Sequence, residues 1–372
     1  MNADLLTRLT SQGPKRILAL DGGGIRGVLS LGFLERIESL LRARHQNNQL
    51  RLCDYFDLIG GTSTGAIIAG ALAIGMEVAD IKRRYLDLGG KIFGRKSWRA
   101  WRAIFDVKAL EEELLNLFGD RTLDDASIRT GLCVVTKRAD TGSTWPLINH
   151  PHGKFFEMNR AMLLRKVVRA STAAPMYFVP AKYMVGRGKH GAFVDGGVSM
   201  ANNPALLLFL IATLKEFPFR WPTGEEKLML VSIGTGHWDR RENVDIVSNR
   251  RLWDWAREVP TMLMNDANWQ NQLMLQYLSN STTAWPIDDE VGDLSDDLLP
   301  AQPALTYLRY DVRLDEQTMR DLALPQLAVK VESLCRMSAG ENRFELAMIG
   351  EKVAEKELRD EHFLNAFDLT MT

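Results

Sequence analysis

Cysteine is scarce in this chain: Cys53, Cys133 and Cys335 lie far apart and form no CxxC pair. An odd, scattered set argues against a disulfide framework or a zinc ribbon and favours a reducing compartment. Excess charge of one sign is also lacking. Lys plus Arg is 46 and Asp plus Glu is 47, a net charge of -1. That balance argues against a broadly basic surface, so no nucleic-acid polymer is expected as a partner. Two charge-free windows, 58–76 and 196–214, are long enough to be mistaken for membrane spans. The first is interrupted by Gly60, Gly61, Thr62, Ser63, Thr64 and Gly65, the second by Gly196, Gly197 and Pro204. Neither reads as a span. Residues 1–13 carry Asp4 and Arg8 and lack an apolar core, so no signal peptide is expected.

What is present is an ordinary folded composition, 46% apolar and 25% charged over 372 residues. A length prior of about 150 residues per domain gives about two domains, although one α/β domain can absorb most of the chain. Short apolar runs at 16–20, 55–59, 131–135, 177–179 and 227–233 predict strands. Helical spacing marks 29–41, 66–76, 107–118, 159–170 and 205–214. At 308–312, Leu308, Tyr310 and Val312 alternate with Arg309, Asp311 and Arg313, which predicts a half-exposed strand. Helices follow from about 316. The repeated strand–helix alternation predicts an α/β layered fold. The expected divisions are an extension at 1–13, a main domain at 14–315 and a helical region at 316–372.

Asp21-Gly22-Gly23-Gly24-Ile25-Arg26-Gly27 lies between the first strand and the first helix. Gly22, Gly24 and Gly27 satisfy GxGxxG, so a dinucleotide site must be weighed. No Lys-Ser or Lys-Thr follows, which excludes a Walker A loop, and Asp57 is a poor ribose-binding acid. Every reading shares a row of backbone N–H groups at a helix start, a receptor for an anion or oxyanion.

Gly61-Thr62-Ser63-Thr64-Gly65 is GxSxG between a strand and an apolar helix, the context of a nucleophile elbow. A nucleophilic serine needs a base, and two candidates fit. Asp195 precedes Gly196-Gly197, glycines that allow a tight turn. His237 follows Gly234-Thr235-Gly236, and the order Ser63, Asp195, His237 is that of α/β-hydrolase triads. Pattern alone leaves dyad and triad open.

Four elements in order resemble the patatin-like phospholipase family: 21–27, 61–65, the stretch Ala170-Ser171-Thr172-Ala173-Ala174-Pro175, and Asp195-Gly196-Gly197. Ser232-Ile233-Gly234-Thr235-Gly236 adds a fifth similarity. The resemblance implies a modified α/β-hydrolase-type fold with a central, mostly parallel sheet flanked by helices. It implies a Ser63–Asp195 dyad with no catalytic histidine, no metal and no cofactor. Gly23 and Gly24 would supply the oxyanion N–H groups. Gly22, Arg26, Gly27, Gly61, Gly65, Gly196 and Gly197 would support them, and Arg26 would help neutralise a substrate phosphate. The chain also resembles bacterial patatin-like effectors of cyclic-nucleotide antiphage signalling.

The implied activity is phospholipase A or lipid acyl hydrolysis through an acyl-enzyme, with acyl transfer to an alcohol as a variant. An aspartate base would keep activity to lower pH than a histidine base. Competing classes are a nucleotide binder on Gly22, Gly24 and Gly27, and an idle signalling scaffold. Eight basic residues at 82–102 are interleaved with Phe93, Trp98 and Trp101. Lys96, Trp98, Arg99 and Trp101 are therefore candidate membrane contacts, against the alternative of a solvated face. A cytoplasmic protein touching the inner membrane face is expected. Membrane phospholipid is its substrate; a homo-oligomer and a cyclic-nucleotide activator are further partners this reading admits. Met262, Leu263, Met264, Trp269, Leu273, Met274, Leu275 and Tyr277 read as core, cap, lipid-facing wall or dimer contact. Asp288, Asp289, Glu290, Asp293, Asp296 and Asp297 read as a solvated loop.

Overall fold

The computed structural model describes residues 3–92, 104–186, 188–238 and 242–369. Among them one sheet holds β1 (Lys15–Leu20), β2 (Leu58–Thr62), β3 (Gly131–Arg138), β4 (Ser143–Ile148), β5 (Ala181–Met184), β6 (His190–Asp195), β7 (Leu228–Ile233), β8 (Ser279–Asn280) and β9 (Leu305–Tyr310). Strands β3, β2, β1, β7, β9 and β8 pair in parallel, whereas β4, β5 and β6 join antiparallel at the β3 end. The fold is thus α/β with a mixed, mostly parallel sheet.

Alternation along β1 builds the two faces. Leu18 and Leu20 enter a core shared with the helices Gly27–Arg44, Thr64–Ala73 and Arg343–Glu357. Ile17 and Ala19 enter the opposite core, with Leu5 and Leu9 of Ala3–Thr10, the helix Ala205–Thr213 and Leu275. Strands covered on both faces must be apolar throughout, and β1, β2, β7 and β9 are nearly so. On the first face the C-terminal helix crosses Gly27–Arg44 at Gly32 and Gly350. A β-carbon on Gly32 would lie 2.4 Å from the Gly350 carbonyl carbon, so only paired glycines permit this approach.

Several sequence expectations shift. The strand placed at 55–59 begins at Leu58 and runs on to Thr62; Leu52–Tyr55 is a short helix. The glycines that made 60–62 look like a turn are there for packing: a β-carbon on Gly60 would sit 2.6 Å from Leu208 of the overlying helix. Asp57 lies just before this strand and pairs with Arg8 (2.8 Å) and Arg16 (3.1 Å). Residues 177–179 are not a strand, and β5 follows them. The helix placed at 159–170 starts at Leu164, because Leu163 is held in an antiparallel bridge with Thr122. Strand β9 is not half exposed. Arg309 and Asp311 are buried because they neutralise each other inside the fold. No helix of the described residues is long and apolar enough to cross a membrane.

Candidate active site

Ser63 stands between β2 and the helix Thr64–Ala73 with φ 55° and ψ -122°. Positive φ is uncommon for a residue with a β-carbon and marks a strained elbow. Two glycines make the bend physically feasible. A β-carbon on Gly61 would fall 2.2 Å from the Gly65 carbonyl oxygen, and one on Gly65 would fall 2.3 Å from that of Leu20. The elbow is also tied from outside. The Ser63 N–H donates to Ser171 Oγ at 2.9 Å, and the Ser171 hydroxyl donates to the Val135 carbonyl at 2.6 Å.

Sheet register delivers the acid. One edge of β3 is occupied by β4. On its other edge β2 ends with Thr62 opposite Val135, and β6, running the other way, ends with Asp195 opposite Thr136. Two strand ends therefore meet at adjacent β3 positions, and residues 132 apart in sequence become neighbours. The Ser63 hydroxyl donates to Asp195 Oδ2 at 2.6 Å, and the Gly197 N–H donates to Asp195 Oδ1 at 2.7 Å. Burial pushes the Asp195 carboxyl up to about 6, against the opposing pulls of Ser63, Gly197 and the Arg169 charge.

The 21–27 turn packs directly on the elbow. A β-carbon on Gly22 would lie 2.5 Å from Asn202 Oδ1 and 3.1 Å from Ser63 Cβ. Gly22 is gripped from both sides: its N–H donates to the Asn202 carbonyl (3.0 Å), and its carbonyl accepts from Thr235 Oγ1 (3.1 Å). The Gly23 N–H reaches Thr64 Oγ1 at 3.2 Å. Behind the turn, Arg309 Nη1 and Nη2 donate to Asp21 at 3.1 and 2.7 Å, to Ser232 Oγ at 2.7 Å and to Asp311 at 2.6 Å. Asp311 in turn accepts the Gly236 N–H at 2.8 Å.

Ser63, Asp195, Gly23 and Gly24 face one cavity of about 1110 Å³. Its walls include Ile67, Leu110, Phe178, Val198, Leu263 and Met264. That is at or above the usual range for drug-sized ligands, about 300–1,000 Å³, and it is mostly apolar. Arg26 is buried and does not line this cavity; its charge lies near Cys335, Asp311 and Asp21. In this structure the Arg26 side chain is therefore turned away from the cavity, next to the buried acids behind the glycine turn. His237 is likewise absent from the cavity wall. Its ring packs between Trp269 and Trp285, with Nδ1 4.0 Å from Asp311.

Leu263 and Met264 both line the cavity; Leu263 is also exposed, as is Met262, which does not line it. The carboxylates at 288–297 sit on an exposed stretch, and no group of His, Cys, Asp or Glu among the described residues could hold a metal. Lys96, Trp98, Arg99 and Trp101 lie outside the described residues. Sequence reasoning missed Ser171 as the tether of the elbow, although it had singled out the stretch containing it. It also missed Arg309, whose alternating neighbours disguised it as a surface residue.

An α/β sheet with a serine elbow and a buried acid sharing one apolar cavity defines a serine hydrolase. A family model described as patatin-like phospholipase matches residues 18–209. The chain belongs to the patatin-like phospholipase family, and it is a lipid hydrolase. It is 27% identical over 345 residues to the cGAMP-activated phospholipase of Escherichia coli strain TW11681, covering 88% of this chain and 90% of that one. It is 32% identical over 205 residues to the cGAMP-activated phospholipase of Vibrio cholerae serotype O1, covering 52% and 56%. A third relative, the cUMP-AMP-activated phospholipase of Escherichia coli, is 31% identical over 215 residues, covering 57% and 63%.

Proposed function

We propose that this protein is a phospholipase A-type acyl hydrolase that works through a Ser63–Asp195 dyad and an acyl-enzyme. The observation that carries the reading is the 2.6 Å hydrogen bond from Ser63 to Asp195 inside the apolar cavity. Asp195 takes the Ser63 proton as Oγ attacks the ester carbonyl carbon. The oxyanion settles on the Gly23 and Gly24 N–H groups; the long 3.2 Å bond from Gly23 to Thr64 is exchanged for a charge-assisted one. Asp195 returns the proton to the departing glycerol-side alcohol, then draws one from the water that cleaves the acyl-enzyme. Arg169 stands near enough to Asp195 to favour its charged form.

Dyad and triad separate by substitution. Asp195→Asn is expected to abolish turnover of a soluble ester, whereas His237→Ala keeps most of it, because the imidazole lies off the cavity. A folded His237→Ala protein that loses as much as Ser63→Ala overturns the dyad.

The pH profile follows from the acid's environment. A base must be unprotonated, so kcat/KM is expected to fall as pH drops below about 6 and to level off above it. A free histidine, near 6.5, would titrate in almost the same place. Burial thus narrows the difference in pH profile expected between an aspartate and a histidine base. A profile flat down to about pH 4, the unperturbed carboxyl range, would contradict the buried base.

A cyclic-nucleotide activator belongs to this reading because the relatives above are named for activation by cGAMP or cUMP-AMP. Action at the inner membrane face, where phospholipid is met, belongs to it as well. Product analysis on mixed phospholipid vesicles, with and without cGAMP, tests both substrate and activator.

A further inference from the structure

The helix Leu252–Leu278 changes character along its length. Its second half packs into the fold, with Asn271, Gln272, Leu275 and Gln276 buried. Its first three turns bury nothing among the described side chains, and neither does the short helix Val244–Ser248 before it. Yet this stretch is apolar: Leu252 is 79% exposed, Trp253 77% and Leu263 63%. Val244, Ile246, Val259 and Met262 extend the exposed surface. A cluster of exposed apolar side chains within 20 residues is a candidate interaction surface.

We infer that residues 244–263 dock the protein on a lipid bilayer, laying the cavity mouth against the membrane. The inference rests on the lipid-hydrolase reading above and names the surface through which that site meets its substrate. Continuity with the cavity is the first argument. Val259 and Leu263 are exposed and also line the cavity, and Leu252 lies about two helical turns before Val259. Met176, Val198 and Met200, from other segments, are exposed and line the same cavity, so the apolar surface surrounds its entrance. A second copy of the chain seated there would lie across the path of an incoming lipid; a bilayer would supply the lipid. Tryptophan at the tip suits the boundary between head groups and acyl chains.

Charge sets this surface apart from the basic stretch at 82–102. Residues 242–263 contain Arg250, Arg251 and Arg257 against Glu242, Asp245, Asp254 and Glu258, a near balance. Docking here is apolar insertion, so it needs no anionic lipid and survives salt.

The test compares the parent protein with Leu252→Ser/Trp253→Ser on neutral phosphatidylcholine vesicles, at low salt and at about 0.5 M. Neither residue lines the cavity. The parent is expected to bind at both salt concentrations. The double variant is expected to bind about tenfold or more weakly and to hydrolyse a soluble short-chain ester unchanged. Vesicle binding unaltered by the double substitution overturns the inference. So does a parent dimer that the substitution converts to a monomer with no change in vesicle binding. A parent that binds vesicles but hydrolyses no ester, with cGAMP or cUMP-AMP present as well as without, overturns the hydrolase reading and leaves the docking surface standing.

Discussion

Ser63→Ala is expected to lower ester turnover by about 10⁴-fold or more while leaving the fold intact. Alanine keeps the β-carbon, so the φ of 55° is neither relieved nor worsened. The Ser63 N–H bond to Ser171 belongs to the backbone and persists. What disappears is Oγ alone, and with it the hydrogen bond that holds Asp195 in its charged form. Burial then acts on that carboxyl with less opposition, and its affinity for a proton rises further above the value near 6. Turnover of a soluble ester, labelling by a fluorophosphonate and circular dichroism together decide the matter. Unchanged turnover with label on another serine would remove Ser63 from the mechanism.

Arg309→Met is expected to cost about 3–5 kcal/mol of stability, because it leaves Asp21 and Asp311 buried without their cation. Replacing the whole group, with Asp21→Asn and Asp311→Asn added, is expected to recover part of that loss, since neutral amides need no counter-charge. The damage reaches the active site by two routes. Asp21 immediately precedes Gly22, and Asp311 holds the Gly236 N–H beside Thr235, whose hydroxyl holds the Gly22 carbonyl. Turnover is therefore expected to fall along with stability. Arg309→Lys is expected to lie between, since one ammonium cannot span Asp21, Ser232 and Asp311 as the planar guanidinium does. Urea denaturation and kcat/KM on one soluble ester measure both effects. A methionine variant within about 1 kcal/mol of the parent would show that the cluster is not held by its charges.

Much of this arrangement could be read from sequence because glycine and apolar patterning are local signals. The strand–GxSxG–helix context placed Ser63, and Asp195-Gly196-Gly197 supplied a candidate base without geometry. The choice between Asp195 and His237 was not local. What brings Asp195, and not His237, next to Ser63 is that β2 and β6 end at neighbouring positions of β3, a register that no spacing encodes. Arg309 was hidden for a related reason. Alternation of polar and apolar residues signals a half-exposed strand unless the polar side chains find partners inside, and its partner Asp21 is 288 residues away. The buried placement of Arg26 was hidden too: membership of a glycine turn says nothing about which side of the turn a side chain occupies. The exposed start of Leu252–Leu278 went unread, and only Met262 onward was marked as an apolar cluster, since sequence cannot distinguish an exposed apolar face from one already packed.

The elbow and its acid are poor choices for a chain concerned only with staying folded. Glycine would adopt the backbone angles of residue 63 without strain. A neutral amide at 195 would escape the desolvation that a buried carboxylate suffers near neutral pH. Both positions thus oppose the stability of the molecule that carries them. Drift toward a higher melting temperature, with no demand for hydrolysis, would favour glycine in place of Ser63 and an amide in place of Asp195. On the proposed dyad, the lineage would keep its sheet and its cavity and lose its chemistry by becoming more robust.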